Sequence, residues 1–380
     1  MSKFSKTIHF IQQQFPGKDF VPLHEPKFNG NEKSYVLETI DSTYVSSVGP
    51  FVDKFEGMMA DLSGSAKAVA VVNGTSALQV ALRLVGVNNG DEVITQALTF
   101  VATVNAILYN SAQPIFIDVD LDTMGLSPQA VAAFLEEFGE IRDGFCFNKK
   151  TNKKIAACMP MHTFGFPVHL EELIKVCDKW NIPIVEDAAE SMGSEYKNRP
   201  TGSFGKLGIF SFNGNKMITS GGGGVIITDD LELGVKAKHL TTTAKKSHPY
   251  EYVHDDIGYN FRMPNINAAL ACAQLEQLDL FLADKRNLAI EYANYFSAIG
   301  IKFREEQLHT KANYWLMCIE LENKKERDLF LKETNDNSVM TRPIWQLIFK
   351  SSLYADFQKD NQKNALILEE RIVNIPSSAR

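Results

Sequence analysis

Apolar and polar residues follow each other along the first part of the chain in a pattern that predicts strands and helices in turn. Short runs rich in β-branched residues, such as AVAVVNG at 68–74, predict buried strands. Each is followed by a run with apolar residues at helical spacing, such as TSALQVALRLVG at 75–86, which predicts a helix closed by Gly86. Strands that alternate with helices form a mainly parallel sheet with helices on both faces. We therefore predict an α/β fold for this part.

The alternation of strands and helices ends near residue 230. A long stretch with helical spacing is followed by a strand-like and then a helix-like run, at 266–299, 314–321 and 324–336. Helices and strands that no longer alternate regularly indicate an α+β unit. We predict three parts, an N-terminal arm over residues 1–30, a large α/β domain over 31–235 and a smaller C-terminal α+β domain over 236–380.

Composition narrows the class of protein. The chain has 380 residues and a net charge of -7, with no extended basic block, which argues against a nucleic-acid surface. Its five cysteines lack C-x-x-C spacing, which argues against a disulfide framework or a zinc site and for a reducing compartment. The first residues do not resemble a signal peptide, and no apolar run approaches the roughly 18 residues of a membrane span. We expect a cytoplasmic protein without metal, nucleic-acid or membrane partners.

The segment Asn73-Gly74-Thr75-Ser76 lies between a predicted strand and a predicted helix. The free N–H groups and the positive dipole end of a helix start suit a phosphate, and the two hydroxyls add donors. The alternative is an ordinary helix cap after a tight turn. Neither G-x-G-x-x-G nor G-x-x-x-x-G-K-[ST] occurs, so dinucleotide and P-loop sites lose their main support.

A second candidate lies in IPIVEDAAES at 182–191, where a predicted buried strand ends in Glu186 and Asp187. Ligands of open α/β folds bind at this carboxyl edge, and a carboxylate there requires a cationic partner. The alternative is Asp187 as the cap of a following helix.

A third candidate is Lys216, in GIFSFNGNKMITSGGGGVIIT at 208–228. It follows a predicted strand that contains Ser211, and its neighbours in the sequence are uncharged. Glycines nearby allow the backbone to pass close to a ligand. The alternative is a solvated loop between two strands.

Together these features match the needs of pyridoxal phosphate. Its phosphate binds at a helix N-terminus, its ring nitrogen pairs with a carboxylate, and its aldehyde forms a Schiff base with a lysine. Phe100 follows the predicted strand DEVITQ and is placed to cover the ring.

Several motifs of the sequence resemble those of a known family. The motifs GTSAL, GDEVITQALTFVATVNAI, PIFIDVD, VEDAAESMGS, FSFNGNK and GYNFRMPNINAALACAQLEQL are similar to the DegT/DnrJ/EryC1/StrS sugar aminotransferases, from about residue 20 onward. The spacers at 138–165 and 239–260 resemble the subgroup that aminates nucleotide-linked 4-keto-6-deoxy-N-acetylhexosamines for legionaminic-acid-type or bacillosamine-type sugars. The resemblance implies the fold type I of pyridoxal-phosphate-dependent transferases, with the cofactor in the large domain.

The resemblance also implies roles for single residues. Lys216 would be catalytic and bind the cofactor covalently, Asp187 would pair with the ring nitrogen, and Phe100 would stack on the ring. Glu190 would lie near the ring hydroxyl, where the family often has Gln or His. Asn260 would reach the phosphate in a neighbouring subunit, which implies a homodimer with shared active sites. Thr75, Ser76 and Ser211 would hold the phosphate, and Gly74 would also belong to the cofactor-binding residues.

The implied reaction is a ping-pong transfer of an amino group from L-glutamate to C4 of a UDP- or GDP-linked keto sugar, in the synthesis of bacterial surface sugars. Alternatives are a sugar dehydratase of the same fold, an amino-acid aminotransferase, or a non-catalytic regulatory protein that binds the cofactor. Relatives that dehydrate carry His in place of the lysine, so Lys216 favours amino transfer. Candidates for the substrate pocket are His24, Glu25, His162, Asn313, Tyr314, Arg342 and Trp345.

Overall fold

The structure is a computed structural model that describes residues 3–380. Its helices are α1 Ser5–Gln14, α2 Glu32–Asp41, α3 Pro50–Ser63, α4 Gly74–Leu84, α5 Val101–Tyr109, α6 Pro128–Phe138, α7 Leu170–Lys179, α8 Leu231–Thr241, α9 Asn265–Leu275, α10 Leu278–Ala298, α11 Lys324–Asp336 and α12 Lys363–Arg371. Its strands are β1 Lys67–Val71, β2 Glu92–Gln96, β3 Gln113–Ile117, β4 Gly139–Arg142, β5 Phe145–Asn148, β6 Lys153–Met159, β7 Val185–Asp187, β8 Glu195–Tyr196, β9 Arg199–Pro200, β10 Leu207–Ser211, β11 Gly224–Thr228, β12 Lys302–Phe303, β13 Thr310–Lys311, β14 Met317–Glu320, β15 Arg342–Pro343 and β16 Ile372–Ile375.

A mainly parallel sheet organises the first part of the chain. The strands run in the order β3–β2–β6 and β7–β10–β11–β1, and two parallel bridges, Cys158 to Ile184 and Met161 to Asp187, join β6 to β7. Within this order only β11 runs opposite to its neighbours. The hairpin β4–β5 extends the sheet beyond β6 in antiparallel fashion. The predicted α/β fold with a mainly parallel sheet is confirmed.

The side chains of each strand point alternately to the two faces of the central sheet, which explains why both faces are covered by helices. In β1, Ala68 and Ala70 pack into the core below α3, whereas Val69 and Val71 pack into the core below α4 and α8. Side chains of a strand point alternately to its two faces, so a strand that is apolar throughout must be buried on both.

Predicted helix ends agree with the structure in two places. Ser127 accepts a hydrogen bond from the Ala130 N–H, and Pro128 occupies the first position of α6. Asn73 caps α4 by accepting from the Ser76 N–H at 2.8 Å.

The stretch predicted as helical over 266–299 is two helices, α9 and α10, which meet at Glu276 and Gln277. Both side chains at the junction bond to the N-terminal segment, Glu276 accepting from Asn31 and Tyr35, and Gln277 donating to Glu32. These tertiary contacts are far apart in the sequence, so helical spacing alone did not reveal the break.

The later part of the chain contains the antiparallel sheet β12–β14–β16–β15, next to α10 and α11. Helix α1 packs against α10 and α11. Its Phe10 stacks on Tyr295 of α10, and Phe4, the residue just before α1, lies edge-on to Phe330 of α11. The predicted arm therefore begins with a helix that contacts the C-terminal part, and the domain boundaries stay a prediction. Between residues 3 and 380, no helix is long and apolar enough to cross a membrane.

Candidate active site

Several segments meet at the carboxyl edge of the central sheet and enclose a cavity of about 240 Å³. The start of α4 follows β1, Phe100 lies between β2 and α5, Asp187 ends β7, and Ser211 ends β10. The carboxyl ends of parallel strands lie at one edge, so strand topology alone brings these distant residues together.

One end of the cavity is formed by the first turn of α4. Gly74 and Thr75 line it together with Ser211. The packing is tight, since a Cβ on Gly74 would lie 3.0 Å from the Ser211 Cβ. A helix N-terminus with hydroxyls beside it is a site for an anion such as a phosphate.

Asp187 is buried on the cavity floor. Its Oδ2 accepts a 2.7 Å hydrogen bond from the Thr103 hydroxyl, and its Oδ1 accepts from the Ala189 N–H at 3.2 Å. Burial raises the pKa of Asp187, while the Thr103 bond opposes that rise. The structure contains no helix directly after Asp187, so the alternative of a helix cap is wrong, and the Ala189 contact belongs to a turn.

Lys216 is mostly buried, with 13% of its side chain exposed, so the solvated-loop alternative is wrong. Its Nζ lies 3.2 Å from the Glu190 Oε1 and 4.0 Å from the centroid of the Trp315 ring. The Trp315 indole is fixed in turn by donating to the Asn215 carbonyl at 2.6 Å.

Glu190 is fully enclosed next to this lysine. Its second oxygen accepts from the Phe164 N–H at 3.0 Å. Burial raises the pKa of Glu190 to about 7, although Lys216 acts in the opposite direction. The carboxyl group therefore changes charge near neutral pH.

Most residues predicted for cofactor binding line this cavity. They are Gly74, Thr75, Phe100, Asp187, Glu190, Ser211 and Lys216. Ser76 lies in the same helix turn, where its N–H bonds to Asn73, but it does not line the cavity. Asn260 lies outside it, exposed, with its Oδ1 accepting from the Arg262 Nε at 2.9 Å. The assigned roles stay predictions.

Sequence inspection missed several residues of the site, including three with polar or aromatic side chains. Thr103 and Asn213 line the cavity, and Trp315 covers the lysine. Thr103 follows Phe100 by three positions, so helical spacing could have placed both on one face. Trp315 comes from a distant part of the chain, and no local signal marks it.

A second cavity of about 430 Å³ adjoins the first. The two share Phe100, Glu190, Asn213 and Lys216, and Arg342 and Trp345 line the second one only. Those two substrate-pocket candidates therefore lie close to the lysine.

Other candidates for the substrate pocket have structural contacts instead. His162 is buried and forms a 3.0 Å hydrogen bond with Glu186. The side-chain amide of Asn313 donates to the backbone carbonyls of Glu190 and Met192. Tyr314 packs edge-on against Phe166.

The two candidates of the N-terminal arm also lie outside the cavity wall. Glu25 pairs with Lys18. Burial, Lys285 and Lys216 together lower the pKa of His24 well below its ordinary value, so its ring is neutral.

A parallel-stranded α/β fold with a buried lysine, a carboxylate and a helix start at one cavity defines the class of pyridoxal-phosphate-dependent enzymes of fold type I. The model of the DegT/DnrJ/EryC1/StrS aminotransferase family matches residues 26–380, and the chain belongs to this family. GDP-perosamine synthase of Escherichia coli O157:H7 is 36% identical over 94% of this chain and 93% of its own.

Solved structures of aminotransferases have the same fold as this chain. Helicobacter pylori PseC, an aminotransferase involved in pseudaminic acid biosynthesis, is 25% identical with a TM-score of 0.85, and the match covers 94% of this chain and 93% of PseC. Spr1654 from Streptococcus pneumoniae, in its PLP form, is 22% identical with a TM-score of 0.84, covering 94% and 93%. The predicted fold type, aminotransferase class and cofactor are therefore confirmed at the level of the family.

The residues of the first cavity fit pyridoxal phosphate. The start of α4, with Thr75 and Ser211, offers donors to a phosphate, Asp187 offers a carboxylate to a ring nitrogen, and Lys216 offers an amine to an aldehyde.

Proposed function

We propose that this chain transfers an amino group from L-glutamate to C4 of a nucleotide-linked 4-keto-6-deoxy-N-acetylhexosamine, in two half-reactions that use one site alternately. The product would enter bacterial surface-sugar synthesis in the cytoplasm. The observation that carries the proposal is the place of Lys216 and Glu190, which line both the cavity that fits the cofactor and the adjoining one. A substrate in the second cavity meets the lysine directly.

The chain supplies positioning and proton transfer. When bound, pyridoxal phosphate provides an aldehyde that carries the amino group between substrates and a ring that withdraws electrons. Lys216 Nζ accepts a proton from the α-carbon of the amino donor in the first half-reaction and delivers a proton to C4 of the sugar in the second. Glu190 and Trp315 shield this amine from water. Thr103 and the Ala189 N–H orient the Asp187 carboxylate for a ring nitrogen. Gly74, Thr75 and Ser211, which line the cavity, would hold the phosphate.

Different observations support the choice of the nucleotide and the choice of the sugar. The spacers at 138–165 and 239–260 support an N-acetylhexosamine. Relatives in Escherichia coli, Vibrio cholerae and Caulobacter vibrioides are named GDP-perosamine synthase, which supports GDP as the nucleotide to test beside UDP. We further propose a homodimer in which Asn260 reaches the neighbouring site.

The first experiment is the visible absorption spectrum of the protein with added pyridoxal phosphate, before and after L-glutamate. We expect a band from the lysine-bound cofactor that disappears with L-glutamate and returns when the correct keto sugar is added. D-Glutamate serves as the control donor. A band that persists with L-glutamate would remove this donor, and a band that no GDP- or UDP-linked 4-keto sugar restores would remove the sugar assignment.

A further inference from the structure

Arg342 is a charged residue that lines the second cavity. It lies in β15, which pairs with β16 so that Arg342 is opposite Asn374, and both residues line the cavity. Two indoles, Trp315 and Trp345, line the same space. The strand pairing fixes the backbone of Arg342, although its side chain is exposed to solvent.

The guanidinium group of Arg342 is held on one side only. Its Nη1 donates to the Thr341 carbonyl at 2.9 Å and to the Asn335 Oδ1 at 3.0 Å. An arginine carries five N–H donors, and those on Nε and Nη2 form an edge that matches a carboxylate or a phosphate with two parallel bonds. Both partners of Nη1 are uncharged, a side-chain amide oxygen and a backbone carbonyl.

The charges of the cavity do not balance. Its charged lining residues are Glu190, Lys216 and Arg342. Glu190 and Lys216 pair with each other at 3.2 Å, which leaves the charge of Arg342 uncompensated. A ligand that fills the space between Lys216 and Arg342 is therefore favoured when it carries a negative charge at its far end.

We propose that Arg342 binds an oxyanion of the substrate through Nε and Nη2, while the reacting carbon faces Lys216. This inference rests on the proposed function, and it names the part of the substrate that the second cavity recognises. Two sources share the chemistry, a carboxylate of the amino donor and the diphosphate of the sugar nucleotide. Because the half-reactions use one site alternately, the same guanidinium can serve both.

The test measures binding directly, without turnover. The chain has three tryptophans, and two of them, Trp315 and Trp345, line the cavity, so their fluorescence reports a ligand. The cofactor-loaded protein is titrated with 2-oxoglutarate for the carboxylate source, and with UDP and GDP for the diphosphate source. The variants are Arg342→Gln, Arg342→Lys and the control Arg371→Gln, which alters an arginine near Glu320 that lines a different groove.

We expect Arg342→Gln to weaken at least one probe by roughly tenfold or more, because bonds from a charged donor are about twice as strong as neutral ones. Arg342→Lys keeps the charge but not the bidentate edge and recovers only part of the loss. If only the affinity for 2-oxoglutarate falls, Arg342 binds a carboxylate of the amino donor. If only the affinity for UDP or GDP falls, Arg342 binds the diphosphate of the sugar nucleotide. If both affinities fall, Arg342 binds both substrates. Unchanged affinity for all probes, or an equal loss in Arg371→Gln, overturns the inference.

Failure of this inference is distinguishable from failure of the proposed function. If the wild-type spectrum responds to L-glutamate while Arg342 variants bind every probe normally, only the role of Arg342 is wrong. If the wild-type spectrum does not respond to L-glutamate, the donor is wrong, and the titrations still show whether Arg342 binds an oxyanion. Thermal unfolding of each variant confirms that the compared proteins are folded.

Discussion

At the scale of single residues, the proposed reaction depends on the amine of Lys216. Removing it in Lys216→Ala should lower amino transfer by roughly 10³-fold or more, because the variant has no amine to bind the cofactor or to move the proton. Steady-state kinetics measures the loss. Lys206→Ala is the matched control, since Lys206 pairs with Asp230 on the surface and should keep full activity. Comparable turnover in the two variants would contradict the assignment.

The hydroxyl of Thr103 orients Asp187 and favours its charged form. Thr103→Val keeps the shape but removes the 2.7 Å bond to Oδ2, so the pKa of Asp187 should rise further. The acid limb of the profile of kcat against pH should move to higher pH, and kcat should fall roughly tenfold, as expected for one bond to a charged group.

Thr95→Val is the control for this change. Thr95 is also buried, but its hydroxyl donates to the Met159 carbonyl and does not line the cavity. If both variants lose only stability and neither shifts the pH profile, Thr103 has no influence on Asp187.

Glu190 should make stability depend on pH in a defined direction. Burial raises the pKa of this carboxyl group from 4.5 to about 7. The positive charge of Lys216 opposes this rise, and the negative charge of Asp187 adds to it. A carboxyl group whose pKa is higher in the folded state contributes stability below its unfolded pKa, and this contribution is lost as pH rises through about 7. Urea unfolding of the cofactor-free protein at pH 5 and pH 8 measures the difference, with Glu190→Gln as the comparison. An equal free-energy gap between the two proteins at both pH values would show that Glu190 does not titrate in this range.

The residues of the site could be predicted from the sequence to different degrees, for a physical reason. Lys216, Asp187 and Gly74 follow strands of a regular α/β pattern, and parallel topology brings such strand ends to one edge. Trp315 reaches the lysine through the packing of the C-terminal sheet, which no local pattern encodes. The role proposed for Asn260 depends on a second copy of the chain, so neither its sequence context nor its present contacts test it.

At the scale of secondary-structure elements, β11 lies directly against the start of α4, the segment that we propose holds the cofactor phosphate. A Cβ on Gly224, the first residue of β11, would lie 2.5 Å from the Asn73 backbone carbon. Gly224→Ala should therefore push the loop away from the strand and weaken cofactor affinity, which a titration with pyridoxal phosphate measures. Gly57→Ala is the control, since nothing lies within 4 Å of its new Cβ and alanine favours α3. Equal affinity in both variants would show that the loop tolerates the displacement.

Helix α10 holds the C-terminal segment through a buried lysine. Lys285 donates to the Trp315 carbonyl at 3.3 Å and to the Ser377 carbonyl, and burial lowers its pKa to about 7, with Asp284 opposing. The charge of Lys285 also contributes, after burial, to the lowered pKa of His24.

A lysine whose pKa is lower in the folded state contributes stability above its unfolded pKa of 10.5, and this contribution is lost as pH falls towards about 7. The wild-type protein should therefore gain free energy of unfolding, relative to Lys285→Met, between pH 7 and pH 9.5. Denaturant titrations at the two pH values measure this gain. A constant difference would mean that Lys285 keeps its ordinary pKa.

Elements were predictable where local pattern decides them. Alternating apolar runs gave the strands of the parallel sheet, and the Ser127-Pro128 pair gave the start of α6. The break between α9 and α10 was not predictable, because Glu276 and Gln277 are drawn into bonds with the N-terminal segment. Local propensity is a weak guide wherever such tertiary bonds compete with it.

At the scale of the whole molecule, the proposed sharing of active sites in a dimer has a direct consequence. Aromatic and apolar residues are strongly exposed in the segment before Asn260, with Tyr250 90%, Tyr252 80% and Ile257 78% accessible. Apolar groups exposed together are a feature of surfaces that another molecule covers. If Asn260 reaches the neighbouring cavity, each site combines Lys216 of one subunit with Asn260 of the other.

Mixing two inactive variants tests this arrangement. In a heterodimer of Lys216→Ala and Asn260→Ala, one site lacks both groups, and the other combines an intact Lys216 with an intact Asn260. The mixture, exchanged through mild denaturant, should therefore regain activity that neither homodimer has. If each site used only its own subunit's Asn260, every site in the mixture would lack one group and no activity would return. Normal turnover in the Asn260→Ala homodimer would remove the role of Asn260 before mixing, and sedimentation of the wild-type chain as a monomer would remove the shared site altogether.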